Sequence, residues 1–274
     1  MDRVNVKTKK PYKSSIKTVK TSFKSWNEDT KRLVLYADFM GFKERVHKTS
    51  HAELKQKMVD FHDKWKRQMS PLIKNDNLRY AQFSDSILIV ANGTNEKMFN
   101  LISKAAARLM HVALSEGIAL KGVIAEGVFT YDSQNELYIG KPLVDAYLLH
   151  DEIKFYGIVV HHSAERTVKR YAADNDNPYT NEPIALEKGK TSHYHLCWNM
   201  MDNLLAANDY TVQCLKWLDE IAETVSGRPR IYIDNTVSIL KADQKTVSER
   251  KDGKNNNAAI ISKETESAEE NKIN

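Results

Sequence analysis

The order of short apolar segments in the middle of the chain constrains its fold most strongly. Apolar runs of strand length alternate with stretches whose apolar residues recur at helical spacing. The predicted elements, in chain order, are a strand at 33–37, a helix at 51–68, strands at 77–83 and 86–91, a helix at 96–115 and a strand at 118–131. This order predicts an α+β fold, in which helices pack on one face of a mostly antiparallel sheet.

The second half of the chain extends this pattern less regularly. It predicts a short helix at 144–150, a strand at 157–160, a helix at 211–225 and a strand at 230–233. The long strand at 118–131 is expected to be interrupted at Gly122 and Gly127.

Charge and composition divide the chain into three regions. Residues 1–25 hold eight Lys or Arg and one acid, so the net charge of +5 leaves the remaining chain near −2. We predict a basic flexible arm at 1–28, one domain at 29–242 and a disordered polar tail at 243–274. The arm could contact nucleic acid, an anionic membrane or an acidic partner, but the domain itself is not expected to bind nucleic acid.

Several classes of protein are disfavoured by the composition. No apolar run approaches the roughly 18 residues that a membrane span needs, and the N-terminus lacks the apolar stretch of a secretory signal. Cys197 and Cys214 are too few for a disulfide framework and show no metal-ligand spacing, so buried thiols are expected. These features predict a cytoplasmic protein without a transmembrane segment.

Two acidic residues occupy unusual positions beside predicted strands. Asp38 ends the apolar run 33–37, and Asp85 lies between Phe83 and the apolar run 87–90. A carboxylate at the end of a buried strand loses hydration unless a positive group pairs with it. Two such carboxylates on neighbouring strands would suit Mg²⁺ or Mn²⁺, and Gly41 would let backbone N–H groups approach phosphate oxygens. Taken singly, an aspartate at a strand end more often caps a turn or a helix than binds a metal.

Four segments in order resemble one enzyme family. The segments are residues 36–42 (YADFMGF), 83–89 (FSDSILI), 120–127 (LKGVIAEG) and 138–149 (YIGKPLVDAYLL). Their order and spacing are similar to the class III nucleotidyl cyclases over about 120 residues. The similarity is greatest to the divergent bacterial branch that includes the Pycsar anti-phage pyrimidine cyclases. The resemblance implies a ferredoxin-like class III cyclase catalytic domain.

The resemblance also implies a mechanism and partners. Asp38 and Asp85 would each bridge two Mn²⁺ or Mg²⁺ ions, with a further ligand from the carbonyl of Phe39. Residues 39–42 (Phe39, Met40, Gly41 and Phe42) would lie along the nucleotide. The ribose 3′-hydroxyl would attack the α-phosphorus and pyrophosphate would leave. A homodimer with active sites at its interface is implied, and a separate effector protein would sense the cyclic nucleotide.

The chain departs from the family at the position of a catalytic arginine. Typical members carry Asn and Arg where this chain has Val144 and Leu148. Either another cation stabilises the transition state, with Lys121, Arg79 and Arg230 as candidates, or the protein is inactive. Retention of both acids favours the first alternative.

The base-recognition positions depart as well. Ala81 and Leu137 stand where purine cyclases carry polar side chains, so a pyrimidine substrate, UTP or CTP, is predicted. If the alignment is shifted by two residues, Arg79 would enter the pocket instead. The alternatives are an adenylate or guanylate cyclase with an altered pocket, a non-catalytic nucleotide-binding module, and a nucleic-acid-binding protein that uses the basic arm.

Histidines and tryptophans are the remaining candidates for binding sites. His193 and His195 share one face of a predicted strand, but without a Cys or acid at ligand spacing they are not expected to bind metal. The same holds for His161 and His162. The four tryptophans are expected to be core or interface residues (Trp26, Trp65, Trp198 and Trp217).

Overall fold

A computed structural model describes residues 26, 28–171, 178–201 and 207–270, and describes side chains outside 207–209 and 251–270. The strands are β1 (Thr30–Phe39), β2 (Leu78–Phe83), β3 (Ser86–Ala91), β4 (Leu120–Asp132), β5 (Leu137–Gly140), β6 (Ile158–Val160), β7 (Tyr179–Leu186) and β8 (Gly189–Leu196). The helices are α1 (Phe42–Lys48), α2 (His51–Met69), α3 (Glu96–Ser115), α4 (Lys141–Glu152), α5 (His162–Tyr171), α6 (Ala207–Glu223) and α7 (Arg228–Glu270).

The described strands form one sheet in the order β2-β3-β1-β4-β6-β8-β7, with β5 paired to β4 beside this path. β1 lies between β3 and β4 and is antiparallel to both, whereas β6 is parallel to β4. The first four strands, with α2 and α3 between them, have the β-α-β-β-α-β order of ferredoxin-like folds. The predicted α+β class and mostly antiparallel sheet are therefore confirmed.

The two faces of the sheet are covered by different helices. Alternate residues of β1, such as Leu35 and Ala37, belong to the large core under α2 and α3. Val34 and Tyr36 point to the opposite face, where α4 packs on β1 and β4. The expectation of helices on one face was wrong, because the central strands are apolar on both faces and each face must be covered.

Local sequence signals set where the long helices begin. Ser50 caps α2 in a capping box, in which its hydroxyl accepts from the Glu53 amide and the Glu53 carboxylate accepts from the Ser50 amide. The Asn95 side chain accepts from the Met98 amide at the start of α3. Helix α4 begins at Lys141, with Pro142 in its first turn, and so is longer than the predicted 144–150.

Glycines do not interrupt β4, contrary to expectation. The strand continues through Gly122 and Gly127. A Cβ atom at Gly122 would lie 2.8 Å from the backbone oxygen of Tyr36, so this glycine allows β1 and β4 to approach closely.

The C-terminal part of the domain differs most from the predictions. Residues 230–233 form the start of helix α7 rather than a strand, and α7 continues past the expected boundary at 242. Asp243 and Val247 are buried, so the segment after 242 does not begin as a disordered tail. Apolar residues at helical spacing, Ile233, Leu240 and Val247, were obscured by the polar residues between them.

The predicted N-terminal arm lies mostly outside the described residues, which omit 1–25 and 27. Trp26, placed within that arm by composition, is fully buried beside Val34, Leu88, Val90 and Phe129. Trp65 and Trp198 are buried too, and Trp217 packs against the main core, as expected. Within the described residues, no helix combines the length and the apolar character needed to cross a membrane.

Candidate active site

Asp38 lies near the end of β1, in a row of side chains that crosses three strands. Its partner on β3 is Ser86 and its partner on β4 is Lys121. Directly opposed residues of antiparallel strands point to the same face of a sheet. The backbone register therefore brings a carboxylate, a hydroxyl and an ammonium group together on the face that α4 partly covers.

Hydrogen bonds orient the Asp38 carboxylate. Ser86 Oγ donates to Asp38 Oδ1 at 2.8 Å, and Tyr36 OH lies 3.2 Å from Ser86 Oγ. Burial raises the pKa of Tyr36 to about 12, and the negative charges of Asp38 and Asp85 add to this effect. Tyr36 is therefore protonated near neutral pH and can donate to Ser86, which in turn donates to the carboxylate.

Asp85 lies in the tight turn between β2 and β3. Ser84, the other residue of that turn, has a left-handed backbone with φ 54°. The Phe39 amide donates to the Asp85 carbonyl at 3.1 Å, so the turn is held against the end of β1. Asp38 and Asp85 are consequently neighbours, as their placement on adjacent strands predicted.

The pKa of Asp38 is raised by burial, and the negative charge of Asp85 raises it further. The Ser86 hydrogen bond and the positive charge of Lys121 lower it, but they do not offset the other two effects. The two carboxylates therefore repel each other in a half-buried setting, and a divalent cation would relieve that repulsion. An all-oxygen donor set of this kind fits Mg²⁺ or Mn²⁺.

Lys121 is buried beside Asp38. Its Nζ donates to the carbonyl of Ile153 at 3.2 Å, just after α4. Burial lowers the pKa of Lys121 to about 8, with a contribution from the positive charge of Lys154, while Asp151 and Asp38 oppose the shift. Of the three cations considered from the sequence, Lys121 is the one that the structure places beside Asp38.

The segment after Asp38 presents backbone rather than side chains to the site. The Phe39 ring lies on the opposite face, edge-to-face with Phe61 at 4.8 Å between centroids. The Met40 amide donates to the Ala119 carbonyl at 2.8 Å. Gly41 precedes α1 with φ 72°, and no atom lies within 4 Å of where its Cβ would be. The side chains of Met40 and Phe42 are half-buried and pack against the main core, so the open part of this segment is the backbone at Gly41.

Arg79 and Arg230 are not brought to Asp38. Arg79 forms an ion pair with Asp76, with N–O distances of 2.9 and 3.1 Å, and lies 4.6 Å from the Trp26 ring centroid. It pairs with Val90, four residues along β3 from Ser86, or roughly 13 Å away at 3.3 Å per residue. Arg230 is exposed on α7 and donates to the Val225 carbonyl.

The positions that depart from the family pattern are apolar and partly exposed. Ala81 is half-buried on β2 opposite Leu88, and Leu137 is exposed at the start of β5. Val144 and Leu148 are exposed on α4. Neither pair contributes a charge to the site.

His150, on α4, was missed in the sequence, where nothing marks it as part of this site. Its ring lies 5.3 Å from that of Tyr36. Burial lowers the pKa of His150 to about 4, and the nearby Lys121 charge acts in the same direction, whereas Asp151, 3.5 Å from Nδ1, opposes it.

Protonation of His150 should destabilise the protein as the pH falls. The unfolded state binds the proton near pH 6.5 and the folded state only near pH 4, so the unfolded state binds more protons between these values. We expect the free energy of unfolding to decrease by on the order of 2 kcal/mol between pH 6.5 and 4 from this group. Urea unfolding of His150→Leu across that range should show a smaller decrease than wild type. The exposed His51→Leu is the control, and an unchanged pH slope in His150→Leu would contradict the assignment.

A second group of polar residues lies apart from Asp38 and was missed in the sequence, because its acid is distant in the chain from its His and Cys. His195, Cys197 and Asp243 are all buried, and their potential ligand atoms lie within 4.8 Å of one another. The acid comes from α7, which the sequence pattern assigned to a strand and a tail. The expectation that Cys197 and Cys214 are buried thiols is confirmed.

Comparisons with known proteins give matches among solved structures alone. No family model and no curated protein matches the chain. It is similar to the catalytic core of a rhodopsin-guanylyl cyclase with converted specificity in complex with ATPalphaS, at 13% identity and TM-score 0.49, covering 61% of this chain and 95% of that one. A monomeric guanylyl cyclase domain of the RhoGC fusion protein from the aquatic fungus Blastocladiella emersonii has 12% identity and TM-score 0.49, covering 61% and 94%. The adenylyl cyclase CyaB from P. aeruginosa has 12% identity and TM-score 0.42, covering 63% and 94%.

Proposed function

We propose that this protein is a two-metal nucleotide cyclase that converts a nucleoside triphosphate into a cyclic mononucleotide and pyrophosphate. The observation that carries the proposal is the row of Ser86, Asp38 and Lys121 on one face of the sheet, with Asp85 in the adjoining turn close enough for its charge to raise the pKa of Asp38. The motif resemblance of residues 36–42 and 83–89 to class III cyclases supports it.

Each residue of the site has a part in this chemistry. Two Mn²⁺ or Mg²⁺ ions held by Asp38, Asp85 and the Phe39 carbonyl would supply charge neutralisation and acidify the ribose 3′-hydroxyl. Ser86 fixes the orientation of Asp38 through its 2.8 Å hydrogen bond. Lys121 brings positive charge to the phosphates in place of the family arginine. The open backbone at Gly41 allows phosphate oxygens to approach without a side chain in the way.

A pyrimidine substrate is part of the proposal. Ala81 and Leu137 offer no side-chain hydrogen bond to a base. Arg79, the polar group that a shifted alignment would place there, is held by Asp76. A pocket without purine-reading groups favours the smaller bases of UTP or CTP. We further propose a cytoplasmic signal synthase in Pycsar-type defence, whose product acts on a separate cyclic-nucleotide-sensing effector.

The assay that tests the function is direct. Purified protein would be incubated with Mn²⁺ and each of the four ribonucleoside triphosphates, and the products separated by chromatography. Cyclic UMP or cyclic CMP is the expected product. Cyclic AMP or cyclic GMP would keep the mechanism and contradict the pocket assignment.

A non-catalytic nucleotide-binding module is the second candidate. The observation that favours it is the pair Val144 and Leu148, which leaves α4 without the polar groups of active members. Binding of a triphosphate with no product from any of the four, at saturating Mn²⁺, would support it over the cyclase.

A homodimer is proposed from the surface of α4 and β5. Five apolar side chains are exposed there (Leu137 48%, Ile139 57%, Val144 57%, Tyr147 49% and Leu148 60%). Clustered exposed apolar side chains on one element mark contact surfaces more often than isolated ones. The cluster borders the face that carries Asp38, so a second copy bound there would enclose the site.

The dimer is tested by Leu148→Glu. A buried unpaired carboxylate would oppose association, so we expect dimerisation at least about 10-fold weaker than wild type. Sedimentation equilibrium measures this, and Val59→Glu, at an exposed apolar position on α2, is the matched control. A monomeric wild type, or equal effects of the two variants, would exclude this surface.

A further inference from the structure

A buried polar cluster joins helix α7 to the β7–β8 hairpin. Thr180 and His195 are directly paired across the two strands, and Cys197 follows His195 by two residues. Cys197 lies directly after β8, and its thiol and the His195 imidazole both contact the Thr180 hydroxyl. Helix α7 contributes Asp243 to this group. The four side chains are essentially inaccessible (Thr180 1%, His195 2%, Cys197 0% and Asp243 1%).

The potential ligand atoms converge around the Thr180 hydroxyl. His195 Nε2 lies 2.8 Å from Asp243 Oδ1, and Thr180 Oγ1 lies 2.9 Å from the former and 3.0 Å from the latter. Cys197 Sγ lies 3.5 Å from Thr180 Oγ1. Imidazole nitrogen, thiol sulfur and carboxylate oxygen therefore face one small volume from three different positions in the chain.

Hydrogen bonds among these groups leave part of the cluster unsatisfied. Among the described residues, His195 Nδ1 and Asp243 Oδ2 are buried atoms without a hydrogen-bond partner. Buried polar atoms without partners are uncommon in native proteins, and they often indicate a missing ion or water. Asp243 Oδ2, on one of the converging side chains, is a second, independent sign of a ligand, whereas His195 Nδ1 lies on the far side of the imidazole from Nε2 and does not face the same volume.

We propose that His195 Nε2, Cys197 Sγ and a carboxylate oxygen of Asp243 bind one Zn²⁺ ion, with Thr180 Oγ1 or a water as the fourth ligand. Nitrogen and sulfur ligands select Zn²⁺ over Mg²⁺ and Mn²⁺. Metal–ligand bonds of about 2.0–2.3 Å place tetrahedral ligands roughly 3.3–3.7 Å apart, so the His195–Asp243 contact would open by about half an ångström. On binding, the Cys197 thiol proton leaves to solvent, and the imidazole proton moves from His195 Nε2 to Nδ1, so that a neutral imidazole coordinates the metal through Nε2.

The zinc site is separate from the proposed catalytic acids. His195 pairs with Val159 on β6, Val159 pairs with Val123 on β4, and Val123 pairs with Tyr36 on β1. Three strand spacings of about 4.8 Å separate it from β1, or roughly 14 Å. A zinc ion bound here would link α7 to the sheet, because Asp243 lies 48 residues after His195 in the chain. The proposal therefore does not depend on the cyclase function.

Metal analysis of the full-length protein tests the site. Protein purified with added Zn²⁺ and then dialysed should retain about one equivalent, measured by plasma mass spectrometry. Co²⁺ substitution should produce the thiolate-to-metal charge-transfer band, which an all-oxygen site at Asp38 and Asp85 cannot produce. We expect Cys197→Ser to lose the band and at least about 10-fold in Zn²⁺ affinity. Cys214→Ser, at the other buried cysteine, should keep both.

Several results would overturn the proposal. Wild-type protein without stoichiometric Zn²⁺ and without the Co²⁺ band would show that the cluster is a hydrogen-bonded network only. Equal Zn²⁺ retention in Cys197→Ser and Cys214→Ser would do the same. If Cys197→Ser does not fold, thermal unfolding of wild type decides: a Tm that is unchanged by Zn²⁺ addition and by chelator rejects the site. Loss of product in the nucleotide assay with zinc binding intact would count against the cyclase alone.

Discussion

Asp38→Ala is expected to reduce cyclic nucleotide formation by at least about 10³-fold, because a metal-holding carboxylate acts directly on the charge that develops in phosphoryl transfer. The variant should remain folded. Burial and the neighbouring Asp85 raise the pKa of Asp38, so its ionised form does not stabilise the fold. The measurement is the rate of product formation at saturating Mn²⁺, together with the urea midpoint.

Asp60→Ala, at an exposed aspartate on α2, is the matched control and should retain wild-type activity. Asp85→Ala should behave like Asp38→Ala. Full activity in either active-site variant would contradict the two-metal proposal. Loss of activity together with a lowered urea midpoint would show only that the site supports folding.

Lys121→Met is expected to change activity and stability in opposite directions. If Lys121 replaces the family arginine, the rate should fall by about 10²- to 10³-fold, the range for removal of one electrostatic contact to a transition state. Stability should be unchanged or higher by about 1 kcal/mol, because an apolar side chain avoids burying a charge. Burial lowers the pKa of Lys121 to about 8, which is consistent with that cost.

Opposite changes in activity and stability would distinguish a catalytic role of Lys121 from a structural one. A Lys121→Met protein that is less stable, with a proportional loss of activity, would make Lys121 a structural residue that holds the Ile153 carbonyl. Lys154→Met is the control, because Lys154 is a neighbouring cation that pairs with Glu187. Wild-type activity in Lys121→Met would contradict the proposal that Lys121 replaces the family arginine.

The first half of the fold was predictable because its signals are local. The run at 33–37, the helix at 96–115 and the pair of strands around Ser84 and Asp85 each depend on apolar spacing within one element. The boundaries of α3 agree with the prediction because Asn95 caps it. Helix α7 was missed because polar residues separate its buried apolar residues, which join a core that also includes Tyr179, Leu196 and Leu218 from other elements.

Local sequence signals likewise predicted one part of the candidate active site, and tertiary packing decided the rest. The sequence by itself determined that two aspartates follow or precede buried strands, and that a glycine follows the first of them. Only the tertiary structure decided that Ser86 and Lys121 flank Asp38, because strand register is a property of pairing and not of either strand alone. It also separated Arg79 from the acids by pairing it with Asp76, and it brought His195, Cys197 and Asp243 together. Groups on different elements meet through long-range packing, and spacing within one segment carries no record of that contact.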